Sequence, residues 1–331
     1  MKKELENKKA DIQEANDELF ERFSFTADKG QEPLRIDKFL MGRIERATRN
    51  KIQQAINAGL VLVNGEEVRP NYKVRALDEI VVYSNISPEE LVVTLENIPL
   101  NIVYEDKELM IINKPAGMVV HPGSGNYNGT LLNGVAWYLK QENPHVSDEN
   151  LPRFGLVHRI DKNSSGLLVV AKTEKAMSHI AKQFFNHTVH RQYTTLVWGE
   201  VKKDEGTINA HIGRHQRFRK KFEAYPEGDL GKVAITHYKV LERFGYVTLL
   251  ECMLETGRTH QIRVHMKHIG HPLFNDEVYG GDKIIKGTVY GKYKQFVENC
   301  FAICSRQALH AKTLGLVHPA TNKSVFFPAD C

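Results

Sequence analysis

Between Gly155 and Thr173 the chain reads GLVHRIDKNSSGLLVVAKT, and one aspartate, Asp161, closes a polar, basic turn there. An apolar, strand-like run follows at Leu167–Ala171. A carboxylate flanked by Arg159 and Lys162 on a sheet edge can stay ionised and act as a nucleophile. The plain alternative is a turn aspartate that closes an Asx-type hydrogen bond. A third arrangement, a hydrolase triad of His158, Asp161 and Ser165, lacks the G-x-S-x-G elbow that would expose its serine. His260, His265, His268 and His271 invite a metal, yet their spacings fit no standard zinc pattern and no HExxH occurs. No metal is expected.

The string HRIDKNSSGLLVVAKT resembles the signature of the RluA-type pseudouridine synthases, whose aspartate is the catalytic nucleophile, and Asp161 matches it. Asn163 and Ser164 stand where the family commonly has Asp and Thr; both keep a short polar turn former. HRQYTTLVWG is similar to the second family motif, Arg-x-Tyr-x-Ala-Leu-Val, with Arg191 at the basic position and Thr195 in place of alanine. The resemblance implies that Tyr193 stacks on the target base and accepts a proton; alone, it reads as a core tyrosine on a strand. LETGRTHQIRVHMKHIGHP is similar to the third motif, and its implied partner for Asp161 is Arg263. An arginine suits that task because it never deprotonates and can engage a carboxylate bidentately. Arg258 competes for the same role and is otherwise assigned to phosphate. Arg159 is implied to stack in the hole left by an extruded uridine, with His158 supporting the loop.

The implied reaction breaks the bond between ribose and ring nitrogen 1 of uracil, rotates the base and rejoins it through carbon 5. Nothing is oxidised or hydrolysed overall, so no cofactor is expected. A nucleophile, a cation to keep it ionised, and a base for the carbon-5 proton are required.

A chain of 331 residues with 41% hydrophobic content can build one good-sized core plus a small module. The net charge is only +5, so any nucleic-acid site depends on local clustering of cations. Cys252, Cys300, Cys304 and Cys331 offer a single C-x3-C spacing with no second pair, which reads as reduced thiols. No apolar run approaches the roughly 18 residues that span a bilayer, and the amino-terminal stretch has no apolar signal region. These features lead to an expected cytoplasmic location, no membrane partner and a monomer.

The elements that must position these groups fall into segments. Residues 1–33 form a charged leader whose first 30 residues carry six basic and eight acidic residues, read as a solvated helix or an unstructured stretch. Residues 34–83 read as a compact module. Ile36, Phe39 and Leu40 fall at helical spacing; a second helix starts at the N-cap Thr48, buries Ile52, Ala55 and Ile56, and ends at Gly59. Strand LVLV, a type I′ turn at Asn64-Gly65 and a returning strand EEVRPNYKV follow. The stretch LRIDKFL…ATRNKIQQAINAGLVLVNGEEVRPNYKV resembles the alpha-L RNA-binding motif, which implies phosphate contacts from Arg46, Arg49 and Lys51.

Residues 84–98 read as a linker and 99–331 as the catalytic domain. Its strands outnumber its helices and have hairpin-like spacing, so the fold class is α+β: a small α/β RNA-binding module, then a mixed, largely antiparallel sheet. The resemblance adds a central RNA cleft. One helix is predicted over 173–187, burying Met177, Ile180, Ala181 and Phe184, and another from about Thr259. In NKPAGMVVHPGSGNYNGTLLNGV, Lys114 and His121 are candidates for phosphate, as are the cations of RHQRFRKK at 214–221. The resemblance, in its RluD-like branch, implies a structured RNA partner: the 23S RNA of the large ribosomal subunit. A transfer RNA substrate and a non-catalytic RNA-binding or ribosome assembly protein are the alternatives.

Overall fold

The computed structural model describes residues 20–44, 47–84, 93–123, 126–218 and 221–330. Two compact units meet in sequence between Val92 and Val93.

In the first unit, β1 (Phe20–Thr26), β2 (Leu34–Arg35), α1 (Ile36–Met41), α2 (Arg49–Asn57), β3 (Val61–Val63), β4 (Glu66–Glu67), β5 (Lys73–Val74) and β6 (Glu79–Ser84) follow one another. The main sheet has the order β1-β6-β3-β4, and β2 pairs with β5. Ile36, Phe39 and Leu40 of α1 and Ile52 and Ile56 of α2 pack on Val61, Val63 and Ile80. The Thr48 hydroxyl accepts the Lys51 N–H, so α2 starts where the cap predicts. Asn64 (φ 53°) and Gly65 (φ 80°) make the left-handed pair that a tight hairpin needs.

Two expectations are corrected here. Residues 20–26, assigned to the leader, form β1 against β6; a bulge between Glu21 and Phe23 breaks the alternation that would have marked it as a strand. The returning strand is two short pieces, β4 and β5, because Pro70 between them cannot donate to a ladder.

The second unit contains β7 (Ile102–Glu105), β8 (Leu109–Lys114), α3 (Leu131–Glu142), β9 (Ser165–Ala171), α4 (Glu174–Phe185), β10 (His190–Trp198), β11 (Glu205–Asn209), β12 (His211–Arg214), β13 (Phe222–Tyr225), β14 (Ile235–Arg243), β15 (Val247–Leu254), α5 (Gln261–His268), α6 (Gly291–Ile303), β16 (Leu309–Val317) and β17 (Ser324–Pro328). Nine strands form one sheet in the order β11-β14-β15-β10-β16-β9-β8-β7, with β17 also on β16. Only the β9–β16 pairing is parallel, through Ser165 opposite His310 and Gly166 opposite Ala311.

Strand alternation divides β8 and β9 between two cores. Met110, Ile112, Leu168 and Val170 face the α3 side, while Leu109, Ile111, Leu167 and Val169 pack on α4. The α4 helix buries Ala176, Ile180 and Gln183, with Met177 and Phe184 half-buried, whereas Ala181 is exposed, contrary to expectation. Its seam runs one residue toward the amino end of the predicted one. Part of the linker also belongs to this unit: the Thr94 carbonyl accepts from Asn133 Nδ2, and Glu96 accepts the Gly129 N–H.

Candidate active site

Asp161 lies in the loop that enters β9, and the loop is tied down on both sides. The Ser164 N–H closes a turn on the Asp161 carbonyl. Lys114, fully buried, donates Nζ to the carbonyls of Pro115 (2.6 Å), Met118 (2.9 Å) and Lys162 (3.1 Å). Burial, helped by the charge of Arg306, lowers the Lys114 pKa to about 8. Its expected phosphate contact is thereby replaced by a structural one, since all three of its protons meet carbonyls. From the other side Arg306 Nη2 donates to Ser165 Oγ (2.9 Å) and Gln307 Nε2 to Ser164 Oγ (3.4 Å).

The hydrolase arrangement does not form. Ser165 Oγ is 2.9 Å from His310 Nδ1, while His158 Nε2 accepts the Val169 N–H at 3.0 Å. Burial beside Arg191 pushes the His158 pKa down to about 3, and its ring stacks on Phe184. His158 therefore supports the loop as a neutral acceptor. His121 is likewise held near 4 by burial and the charges of Arg153 and Arg159, so it offers phosphate no cation at neutral pH.

Arg263, on α5, reaches Asp161: Nη1 donates to Oδ2 at 2.9 Å. Sequence reasoning missed what holds it there. Asp276, fully buried, accepts from Arg263 Nε (2.7 Å) and Nη2 (2.8 Å). Asp276 is itself fixed by the N–H groups of Val278 and Tyr279. Burial alone would lower the Arg263 pKa, but the two carboxylates raise it above the ordinary arginine value. His260 Nε2 lies 3.9 Å from Asp161 Oδ2, with His260 Nδ1 2.9 Å from the Tyr279 hydroxyl. Asp276 is the first acidic residue after Arg263, a signal that a buried arginine's need for a counter-charge makes readable.

Asp161, Tyr193 and Arg263 line one cleft of about 520 Å³, together with Arg159, His158 and Arg258. Tyr193, on β10, is 9% exposed, and burial raises its pKa. Arg159 is exposed at the rim, and Arg258 sends Nε to the Val233 carbonyl at 2.9 Å. A second recess of about 310 Å³ shares Arg159, Asp161, His260 and Arg263.

The histidines of the third motif go to separate places. His265 is buried against Thr236 Oγ1 and the Ala210 carbonyl, and His271 sits against the Trp198 carbonyl. In the first unit, Arg49 Nε donates to Asp37 at 3.0 Å and Lys51 is exposed, while Arg46 lies outside the described residues. Of the 214–221 cluster, Arg217 and Lys221 flank the exposed ring of Phe218, and Arg219 and Lys220 lie outside the described residues.

Residues 108–268 match the family model for RNA pseudouridylate synthase, and residues 34–80 match that of the S4 domain. An uncharacterized RNA pseudouridine synthase of Chlorobaculum parvum is 44% identical over 91% of this chain and 91% of its own. A ribosomal large subunit pseudouridine synthase D of Nitrosomonas europaea is 43% identical over 86% of this chain and 78% of its own. The solved structure of human RNA pseudouridylate synthase domain containing 4 shares the fold, with TM-score 0.53 at 24% identity over 70% of this chain and 88% of that one. With a matching domain and relatives of this similarity along most of its length, the chain belongs to the RluA-type RNA pseudouridine synthases, isomerases that here carry an S4 domain ahead of the synthase domain.

Proposed function

We propose that the protein converts uridine to pseudouridine in large-subunit (23S) ribosomal RNA, with Asp161 as the nucleophile. The observation that carries this reading is the ion pair of Asp161 with Arg263, itself locked by Asp276, at the foot of a cleft lined by Tyr193. The relatives named for the large ribosomal subunit supply the choice of RNA.

Asp161 is 19% exposed, so one face of the carboxylate is open to the cleft. Arg263 pairs with it without covering it, because Nη1 engages a single oxygen. The phenol of Tyr193, kept protonated by its burial, offers a ring face to a uracil extruded from its stack. The carbon-5 proton, expected to go to Tyr193, is assigned here instead to the Asp161 carboxylate once the base has been rejoined. The bond from ribose to nitrogen 1 is exchanged for one to carbon 5, and the proton lost from carbon 5 is matched by one gained at nitrogen 1, so the isomerisation calls for no cofactor.

The test is to incubate the protein with unmodified ribosomal and transfer RNA transcripts and to map pseudouridine by carbodiimide-blocked primer extension. Modification of large-subunit RNA that vanishes in Asp161→Asn, with RNA binding retained, is the expected result. Modification confined to transfer RNA would move the substrate, and unchanged turnover in the variant would falsify Asp161 as nucleophile.

A further inference from the structure

Arg191, two residues before Tyr193 on β10, is as deeply placed as Arg263 yet differs from it in one respect. It is 9% exposed, and among the described residues no carboxylate pairs with it. Its Nη2 donates to the carbonyls of Leu254 (3.3 Å) and Glu255 (2.9 Å), while Nε is buried with no hydrogen-bond partner. Burial accordingly lowers its pKa from the usual arginine value. Arg263 in the same cleft has two carboxylates for its one charge. A buried cation without a counter-charge is costly, and such a group persists where an anion arrives to complete it.

Its surroundings say where that anion would come from. Arg191 lines the cleft that holds Asp161 and Tyr193. The Phe184 ring lies 5.7 Å from the guanidinium carbon. Gly257 adjoins it too: a Cβ there would stand 2.7 Å from Nη1. Arg159, Arg258 and Arg263 line the same opening, so four guanidinium groups border a cleft in which, among the described residues, Asp161 is the one carboxylate, already paired with Arg263. A guanidinium matches the two non-bridging oxygens of a phosphodiester in plane and spacing.

We propose that Arg191 seats a phosphodiester of the RNA strand beside the nucleotide held against Tyr193. This rests on the reading that RNA is the substrate of this cleft. The bound phosphate would supply the missing negative charge and fix the strand, so that the extruded base meets Asp161 in one register.

A double-mutant cycle between protein and RNA tests it. A ribosomal RNA stem-loop with uridines in its loop is prepared with single methylphosphonates at successive loop phosphates, which removes one charge at a time. Binding and single-turnover pseudouridine formation are measured for wild type, Arg191→Gln and Gly257→Ala. The last variant keeps every charge but pushes Nη1 aside. In wild type, one methylphosphonate should weaken binding about ten- to hundredfold, the range for a charge-assisted hydrogen bond. In Arg191→Gln that same substitution should make no further difference, and in Gly257→Ala its effect should shrink. Circular dichroism and thermal melts identify a variant that has not folded, in which case Gly257→Ala carries the comparison.

Equal methylphosphonate penalties in wild type and both variants would overturn the proposal. If the coupling appears in binding while no pseudouridine forms, the phosphate seat stands and the proposed activity fails. If inorganic phosphate raises the melting temperature of wild type but not of Arg191→Gln, and no methylphosphonate couples, the site serves a free anion and the backbone contact is refuted.

Discussion

Asp276 grips Arg263 through both Nε and Nη2, which leaves Nη1 as the nitrogen that meets Asp161. The cation beside the Asp161 carboxylate is thus set by a second carboxylate that does not line the cleft. A lysine at this position lacks the planar fork and could not grip Asp276 through two nitrogens while a third meets Asp161.

Replacing Asp276 by asparagine should therefore damage turnover from outside the cleft. The buried guanidinium loses its main counter-charge, and breaking such a pair costs about 3–5 kcal/mol of stability. Urea unfolding should register that loss, and single-turnover rates should fall at least tenfold while RNA affinity changes little. Arg263→Lys should show the same split. A rate equal to wild type in folded Asp276→Asn would remove the anchoring role.

His158 gives a pH prediction. Its folded pKa is near 3, from burial and the neighbouring Arg191, against 6.5 for the ordinary imidazole. Below about pH 6.5 the unfolded chain binds a proton that the folded chain refuses, so stability falls as pH drops from there toward 3. Imidazole resonances of His158 should stay in the neutral position from pH 8 down to 5. A titration midpoint between 5 and 8 would contradict the hydrogen bond it accepts from Val169.

Gly166 follows the catalytic loop and has a φ of +115°, and a Cβ there would sit 2.3 Å from the Ala311 carbonyl oxygen. Gly166→Ala should cost about 3 kcal/mol or more, from left-handed strain and displacement of the parallel pairing. Because that pairing fixes the end of the Asp161 loop, modification should fall even in the fraction that folds. A melting temperature within a degree or so of wild type would sink this account.

In the S4 domain, Asp37 is fully buried and collects Arg35, Arg49 and Gln53. Burial pushes its pKa up, but those three partners outweigh it and hold the carboxyl well below the usual range. Its stabilisation is present above the ordinary carboxylate pKa and is lost as pH falls through the lower folded value. Arg49→Ala should then appear mainly as lost stability. Lys51→Ala, at an exposed site, should reduce the slope of log affinity against log salt by about one. Filter binding across a salt series checks both, and an unchanged slope for Lys51→Ala would exclude it from the RNA contact.

What the sequence disclosed depended on how local the physics was. The Thr48 cap, the Asn64-Gly65 turn, the β9 run and the helix after Thr173 each follow from neighbours within a few residues. The bulged β1 was hidden because Phe20, Phe23 and Phe25 break the two-residue period. Lys114 and His121 were misassigned for one reason: a basic side chain in a motif suggests phosphate, while burial is a tertiary property. Asp276 was readable only once Arg263 was taken as buried, and the unpaired charge of Arg191 was invisible, since it is defined by what lies around it.

Strand β16 runs between β10, which carries Tyr193, and β9, which follows Asp161. Ser165 meets His310 across a separation of 145 residues. A chain still under synthesis holds the phenol and the carboxylate long before the strand that seats them side by side. Catalytic competence therefore arrives only once β16 has been made, and a protein cut short before Leu309 keeps every group of the proposed chemistry while lacking the frame that aligns them.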